Sequence, residues 1–162
     1  MKIYFAAPMF AKSDLLYNAE LVKKLRRNHP QLEIYLPQEN AAINDKTAYA
    51  DSKMIALADT EKVVESQLMI ALLDGLSIDA GVASEIGVAY ANRIPVLGLY
   101  TDSRQQGATN AKKIDALQQV AENQFHYTNL YTVGLIKLNG AVFASEENLF
   151  QGVARFVEGD NS

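Results

Sequence analysis

Residues 68–91 constrain the fold more than any other stretch of the chain. They open with six unbroken apolar residues, Leu68 to Leu73. Such a run is too short for a free helix and apolar on both faces, which is how a parallel strand covered on both sides reads. Asp74 and Gly75 end it, and a polar turn runs to Asp79. From Gly81 the pattern turns helical, and Gly81, Ala83, Gly87, Ala89 and Ala91 are small enough to let a helix lie close to a sheet. In an open α/β sheet, the carboxyl end of a strand and the start of the next helix form the crevice where ligands sit. Here that junction carries Asp74, Asp79 and Glu85. Glu85 falls in the first or second helical turn on an otherwise apolar face, and an acid in that setting needs a reason.

The rest of the chain alternates strand and helix around this unit. Ile3–Ala7 reads as a first buried strand, followed by a loop, Pro8-Met9-Phe10. Ser13 or Asp14 suits the cap of a helix with Leu15, Leu16, Ala19, Val22 and Leu25 at helical spacing. Its basic end, Lys23, Lys24, Arg26 and Arg27, reads as a solvated helix terminus. Glu33–Leu36 is a short second strand, and Gln38-Glu39-Asn40 is the loop after it. A long helix is expected from Thr47 to Ser66, with Met54, Leu57, Ala58 and Val64 as its apolar stripe and Asp59 at the stripe's edge. Ile94–Tyr100 reads as a fourth strand, Thr101–Asn110 as a polar loop and Ala111–Asn123 as a helix. Asn129–Leu138 fits either helix or strand. Ala141–Ala144 follows as a fifth strand, and Ser145–Val157 as a closing helix capped by Ser145. The expected architecture is one domain over residues 1–162. It is a three-layer α/β sandwich on a doubly wound five-stranded parallel sheet, flavodoxin-like or Rossmann-like, of strand order 2-1-3-4-5. The crevice lies between strands one and three.

Composition removes several classes of function. A formal net charge of -4 leaves no basic footprint for nucleic acid. There is no cysteine, hence no disulfide framework, thiolate catalysis or cysteine-ligated zinc. No segment approaches a membrane span, and the early Pro8 argues against a signal peptide, so the expected location is cytoplasmic. No glycine-rich phosphate loop follows strand one, which disfavours dinucleotides. His29 and His126 lack metal-site spacing, so no metal is expected.

The topology gathers Tyr4, Phe10, Glu39, Asn40, Asp74, Asp79 and Glu85 at one sheet edge, with Asp59 from the neighbouring helix. Paired carboxylates without phosphate or metal binders suit glycosyl chemistry, in which one attacks the anomeric carbon and another acid protonates the leaving group. A helix N-terminus would hold Glu85 ionised. An acid sharing its crevice would have its pKa raised by the like charge. Plainer roles compete: Asp79 fits a helix cap, Asp74 a turn with Gly75, Asp59 a solvated helix face, and Tyr4 core packing.

The segment Asp74-Gly75, then Asp79 through Gly81 and Glu85-Ile86-Gly87-Val88-Ala89, resembles the nucleoside 2-deoxyribosyltransferase family motif, an Asp, then Gly, then Glu-x-Gly-x-Ala. The segments Ile3 to Phe10 and Pro37 to Asn40 look like that family's first strand and second loop. The resemblance spans roughly residues 1–130. It implies transfer of 2-deoxyribose between nucleobases by double displacement, with no cofactor. Carried over by position, Glu85 is the nucleophile, Tyr4 orients it, and Asp79 and Asp59 face the base and handle its proton. Phe10, Asn40 and Gly81 fall in the substrate-binding set. Asn129 resembles the residue by which a neighbouring subunit reaches the 5′-hydroxyl. A homodimer or hexamer with shared sites is therefore implied, with 2′-deoxyribonucleosides and free nucleobases as partners. The chain departs from its relatives at Gln67, where many carry an Asp, and at its Ser162 terminus, where some end in aromatic residues. A branch of the family hydrolyses deoxynucleoside 5′-monophosphates with a Ser/Arg/Gly-rich loop. Ala6 to Phe10 lacks that loop, so an N-glycosidase stands second, and a non-catalytic nucleoside-binding domain third.

Overall fold

The computed structural model describes residues 1–41, 49–105, 109–122 and 128–159. Five strands, β1 (Lys2–Ala6), β2 (Glu33–Tyr35), β3 (Leu68–Leu72), β4 (Val96–Leu99) and β5 (Gly140–Phe143), form one parallel sheet in the order β2-β1-β3-β4-β5. The chain leaves β1 to one side for β2 and returns to the other side for β3. The switch point therefore falls between β1 and β3, as the sequence indicates.

Alternation along each strand assigns the two faces. Ile3, Phe5, Leu68, Ile70, Leu97 and Leu99 point toward α1 (Lys12–Asn28) and α6 (Glu146–Glu158), meeting Leu21, Val22, Leu25, Leu149 and Val153. Tyr4, Ala6, Met69, Ala71 and Val96 point the other way. There they meet Val63 of α2 (Ser52–Val64), Val82, Ile86 and Ala89 of α3 (Ala80–Ala91), and Ile136 of α5 (Leu130–Leu138). Every residue of β3 is buried, the expected price of a strand covered on both faces.

Several elements differ from expectation at their ends. Helix α1 is capped at Ala11, not at Ser13 or Asp14, because Asp14 reaches back to accept the Ala11 N–H at 2.9 Å. Helix α2 begins at Ser52 because the Asp51 side chain accepts the Met54 N–H and starts the helix there. Thr47 lies outside the described residues. Its predicted stripe is also turned outward: Met54, Leu57 and Val64 are exposed, and Val63 carries the burial. Helix α4 (Ala111–Ala116) stops well short of Asn123, which is itself outside the described residues. The ambiguous segment 129–138 is a helix, with Asn129 as its cap. The basic end of α1 is not merely solvated, since Lys24 pairs with Glu146 and Arg26 with Glu39.

Gly140 opens β5 beside Val96, and a Cβ there would lie 2.0 Å from the Val96 carbonyl oxygen. That backbone atom is held by the β4–β5 ladder, so Gly140→Ala is expected to cost about 2–4 kcal/mol, read as a Tm lower by roughly 5–15 °C. An unchanged Tm would contradict this strand register.

Candidate functional site

Tyr4 sits in the middle of β1 with no exposed surface, its side chain directed toward α3. Its hydroxyl donates to Glu85 Oε1 at 2.5 Å, joining the central strand to the switch-point helix. The length is that of a charge-assisted O–H···O bond. Burial, together with the Glu85 charge, raises the Tyr4 pKa far above the phenol range, so it remains a donor at any working pH.

Glu85 is the sixth residue of α3, one turn beyond the reach of the helix N-terminus. Burial dominates and pushes its pKa up to about 7; the Tyr4 bond opposes this, while the charges of Asp59 and Asp79 add to it. Burial thus acts against the expectation of a carboxylate held ionised at the helix start. Asp59, in the middle of α2, is half-buried and also raised. The cause there is burial, not the like charge that the sequence suggested.

Helices α2 and α3 pack side by side and leave a cavity of about 380 Å³ between them. Ser52, Asp59 and Thr60 line it from α2, and Gly81, Ser84 and Glu85 from α3. Tyr4 lies behind Glu85. Tyr4, Glu85, Asp59 and Gly81 thus come together as predicted from the sequence.

The other candidates are placed differently. Asp79 caps α3, its Oδ1 accepting the N–H groups of Gly81 and Val82 at 2.9 and 3.1 Å, so the plainer role is filled while its charge still acts on Glu85. Asp74 does not serve a turn with Gly75. Its two oxygens accept the Thr101 N–H and hydroxyl at 2.7 and 2.6 Å and tie the ends of β3 and β4 together. Glu39 is turned to Arg26, and Asn40 donates to the Tyr35 hydroxyl at 3.0 Å. Phe10 is largely exposed. Asn129 is exposed at the N-terminus of α5, where its Oδ1 accepts the Thr132 N–H. His126 lies outside the described residues, and among those described no group of His, Asp and Glu is arranged to hold a metal.

Sequence reasoning missed Tyr35. It is in register with Tyr4 across β1 and β2, and the two rings stack with centroids 5.6 Å apart at 29°. The signal was an aromatic residue closing a short strand next to Tyr4, visible only once the register is known.

Fold and site together define an open, doubly wound α/β protein with a partly buried, tyrosine-bonded carboxylate at the topological switch point. The chain belongs to the nucleoside 2-deoxyribosyltransferase family, whose model matches residues 3–131, and that family is one of enzymes. A conserved protein from Enterococcus faecalis V583 has a similar structure at 67% identity and TM-score 0.92, covering 96% of this chain and 98% of that one. The fold is shared with a 2-desoxiribosyltransferase from Leishmania mexicana (21% identity, TM-score 0.63, 97% of each chain). It is shared also with a CMP N-glycosidase from Clostridium botulinum (17% identity, TM-score 0.52, 96% of this chain and 99% of that one). No curated protein matches the chain. No helix among the described residues is long and apolar enough to cross a membrane.

A glutamate titrates at 4.5 when unperturbed, and Glu85 in the folded chain at about 7. Between those values the native protein keeps a proton that the unfolded chain has lost, so stability falls as pH rises through that window and stays lower above it. Glu85→Gln removes the partly buried charge. Its Tm is expected to match the unaltered protein near pH 5 and to exceed it at pH 8, by the equivalent of roughly 2–3 kcal/mol. The same Tm difference at both pH values would contradict the burial.

Proposed function

We propose that this protein transfers 2-deoxyribose between nucleobases through a covalent deoxyribosyl-Glu85 intermediate. The observation that carries the reading is the Tyr4–Glu85 hydrogen bond beside a cavity that also holds Asp59. In the first displacement a Glu85 carboxylate oxygen bonds to C1′ as the N-glycosidic bond breaks. The bond's electron pair leaves with the base, which takes a proton from an acid. Asp59, whose raised pKa favours the protonated form, is the proton donor on this reading, with Asp79 bonding the base edge. In the second displacement an incoming base attacks C1′, passes its ring N–H proton to the Asp59 carboxylate and releases Glu85. Tyr4 fixes the orientation of Glu85 throughout and draws off part of its charge.

A nucleoside suits the cavity better than a nucleotide, because none of its described lining residues is Lys or Arg. A 2-deoxy sugar is the natural donor, since a 2′-hydroxyl would withdraw electrons from the oxocarbenium-like transition state. Phe10, Asn40 and Gly81 complete the substrate-binding set. Phe10 would cover the base, and its exposure leaves it free to do so. The chain acts as one domain in the cytoplasm and as a homo-oligomer. In that assembly Asn129 of one subunit donates to the sugar 5′-hydroxyl in its neighbour's site, with its Oδ1 already taken by the α5 cap.

Pure protein incubated with deoxyinosine is expected to yield deoxyadenosine only when adenine is added, and Glu85→Ala to lower that rate by more than about a thousandfold. Free deoxyribose as the main product, or faster turnover of the 5′-monophosphate, would replace the transferase with an N-glycosidase. Binding without any turnover would leave a nucleoside-binding domain. Asn129→Ala is expected to raise KM for 5′-hydroxy donors while leaving 5′-deoxy donors unchanged; equal use of both donors by the unaltered protein would remove its assigned role.

A further inference from the structure

We propose that Tyr35 is a positioning residue for Glu85, acting through Tyr4, and that the turn at residues 37–40 holds Tyr35 in place. The inference rests on the reading above, in which Glu85 is the attacking group. Tyr35 is absent from the cavity lining, so it acts on the reaction at second hand.

The contacts form a continuous line from the scaffold to the carboxylate. The Tyr4 hydroxyl reaches Glu85 at 2.5 Å, and a bond that short weakens steeply if its donor tilts. Stacking on Tyr35 fixes the Tyr4 ring from the β2 side. The Tyr35 hydroxyl in turn accepts from Asn40 Nδ2 at 3.0 Å. Asn40 closes the 3-10 turn Pro37–Glu39. That turn is anchored to α1: Gln38 Nε2 donates to the Leu15 carbonyl at 2.9 Å, Gln38 Oε1 accepts from Asn18 Nδ2 at 3.1 Å, and Glu39 pairs with Arg26 at 2.7 Å. The second loop, which carries Asn40 of the expected substrate-binding set, is thus anchored to the scaffold through Gln38, Glu39 and the Asn40–Tyr35 bond.

The groups facing Glu85 are Tyr4 from β1, Tyr35 behind it on β2, Asp59 from α2 and Asp79 at the start of α3; Lys62 of α2 faces Tyr35. Of those acting on Glu85, only the Tyr4 bond favours the charged carboxylate. Loosening Tyr4 by removing the Tyr35 ring must therefore make Glu85 hold its proton to higher pH.

The test is an NMR titration of the Glu85 side-chain carboxyl in free protein, set beside base-exchange kinetics. Tyr35→Leu is expected to move the midpoint upward by about half a unit or more and to lower kcat about tenfold, with KM changed less than about twofold. Tyr35→Phe, which keeps the ring and loses only the Asn40 bond, is expected to fall between. Asn40→Ala should shift the midpoint in the same direction by less. A folded Tyr35→Leu variant with an unchanged midpoint and kcat overturns the proposal. If that variant does not fold, an unchanged midpoint in Asn40→Ala overturns it instead. Failure of the transferase reading is separately visible as absent base exchange in the unaltered protein, and the titration still decides the role of Tyr35.

Discussion

One hydrogen bond, from the Tyr4 hydroxyl to Glu85, organises both faces of the problem. It places a carboxylate against the apolar layer between sheet and helices, where an unpaired charge would be costly. The bond supplies part of the missing solvation, and the remaining cost appears as the upward shift of Glu85 to about 7. The protein thus keeps its acid near neutrality between protonated and charged states. A surface glutamate would be ionised and well solvated there.

That arrangement requires the fold around it. Tyr4 can meet Glu85 only because β1 and β3 are adjacent, with the helix after β3 returning across them. Asp79 starts that helix at a defined residue and so fixes which turn Glu85 occupies. Asp74 secures the strand end before it by gripping Thr101. Asp79 at the helix start and Asp74 at the strand end thus both hold backbone through their contacts, and both help to place Glu85. The cavity forms because α3 presents Gly81 and Ser84 beside Glu85, small residues that leave room next to α2.

The strand order and the central acid were legible in the sequence for a physical reason. A doubly covered strand such as Leu68–Leu72 has no polar face, and a glutamate in a small, apolar helix has few explanations. What the sequence concealed depends on register and on competing partners. Tyr35 becomes relevant only when β2 is aligned with β1. Glu39 reads as a crevice acid until Arg26 claims it, and the apolar residues of α2 read as core until Val63 alone faces inward. The upward shift of Glu85 was not legible in the sequence because desolvation depends on how the whole layer packs around it. Family membership rests on the match over residues 3–131, while the chemistry assigned to this chain rests on Glu85 and its neighbours.

The most direct test of the central claim is intact-protein mass spectrometry after mixing the protein with a 2′-deoxynucleoside and no acceptor base. The account predicts a mass gain of one deoxyribosyl unit, mapped by peptide fragmentation to Glu85 and discharged when a free base is added. Release of base with no adduct on Glu85, or an adduct that persists in Glu85→Ala, would contradict it.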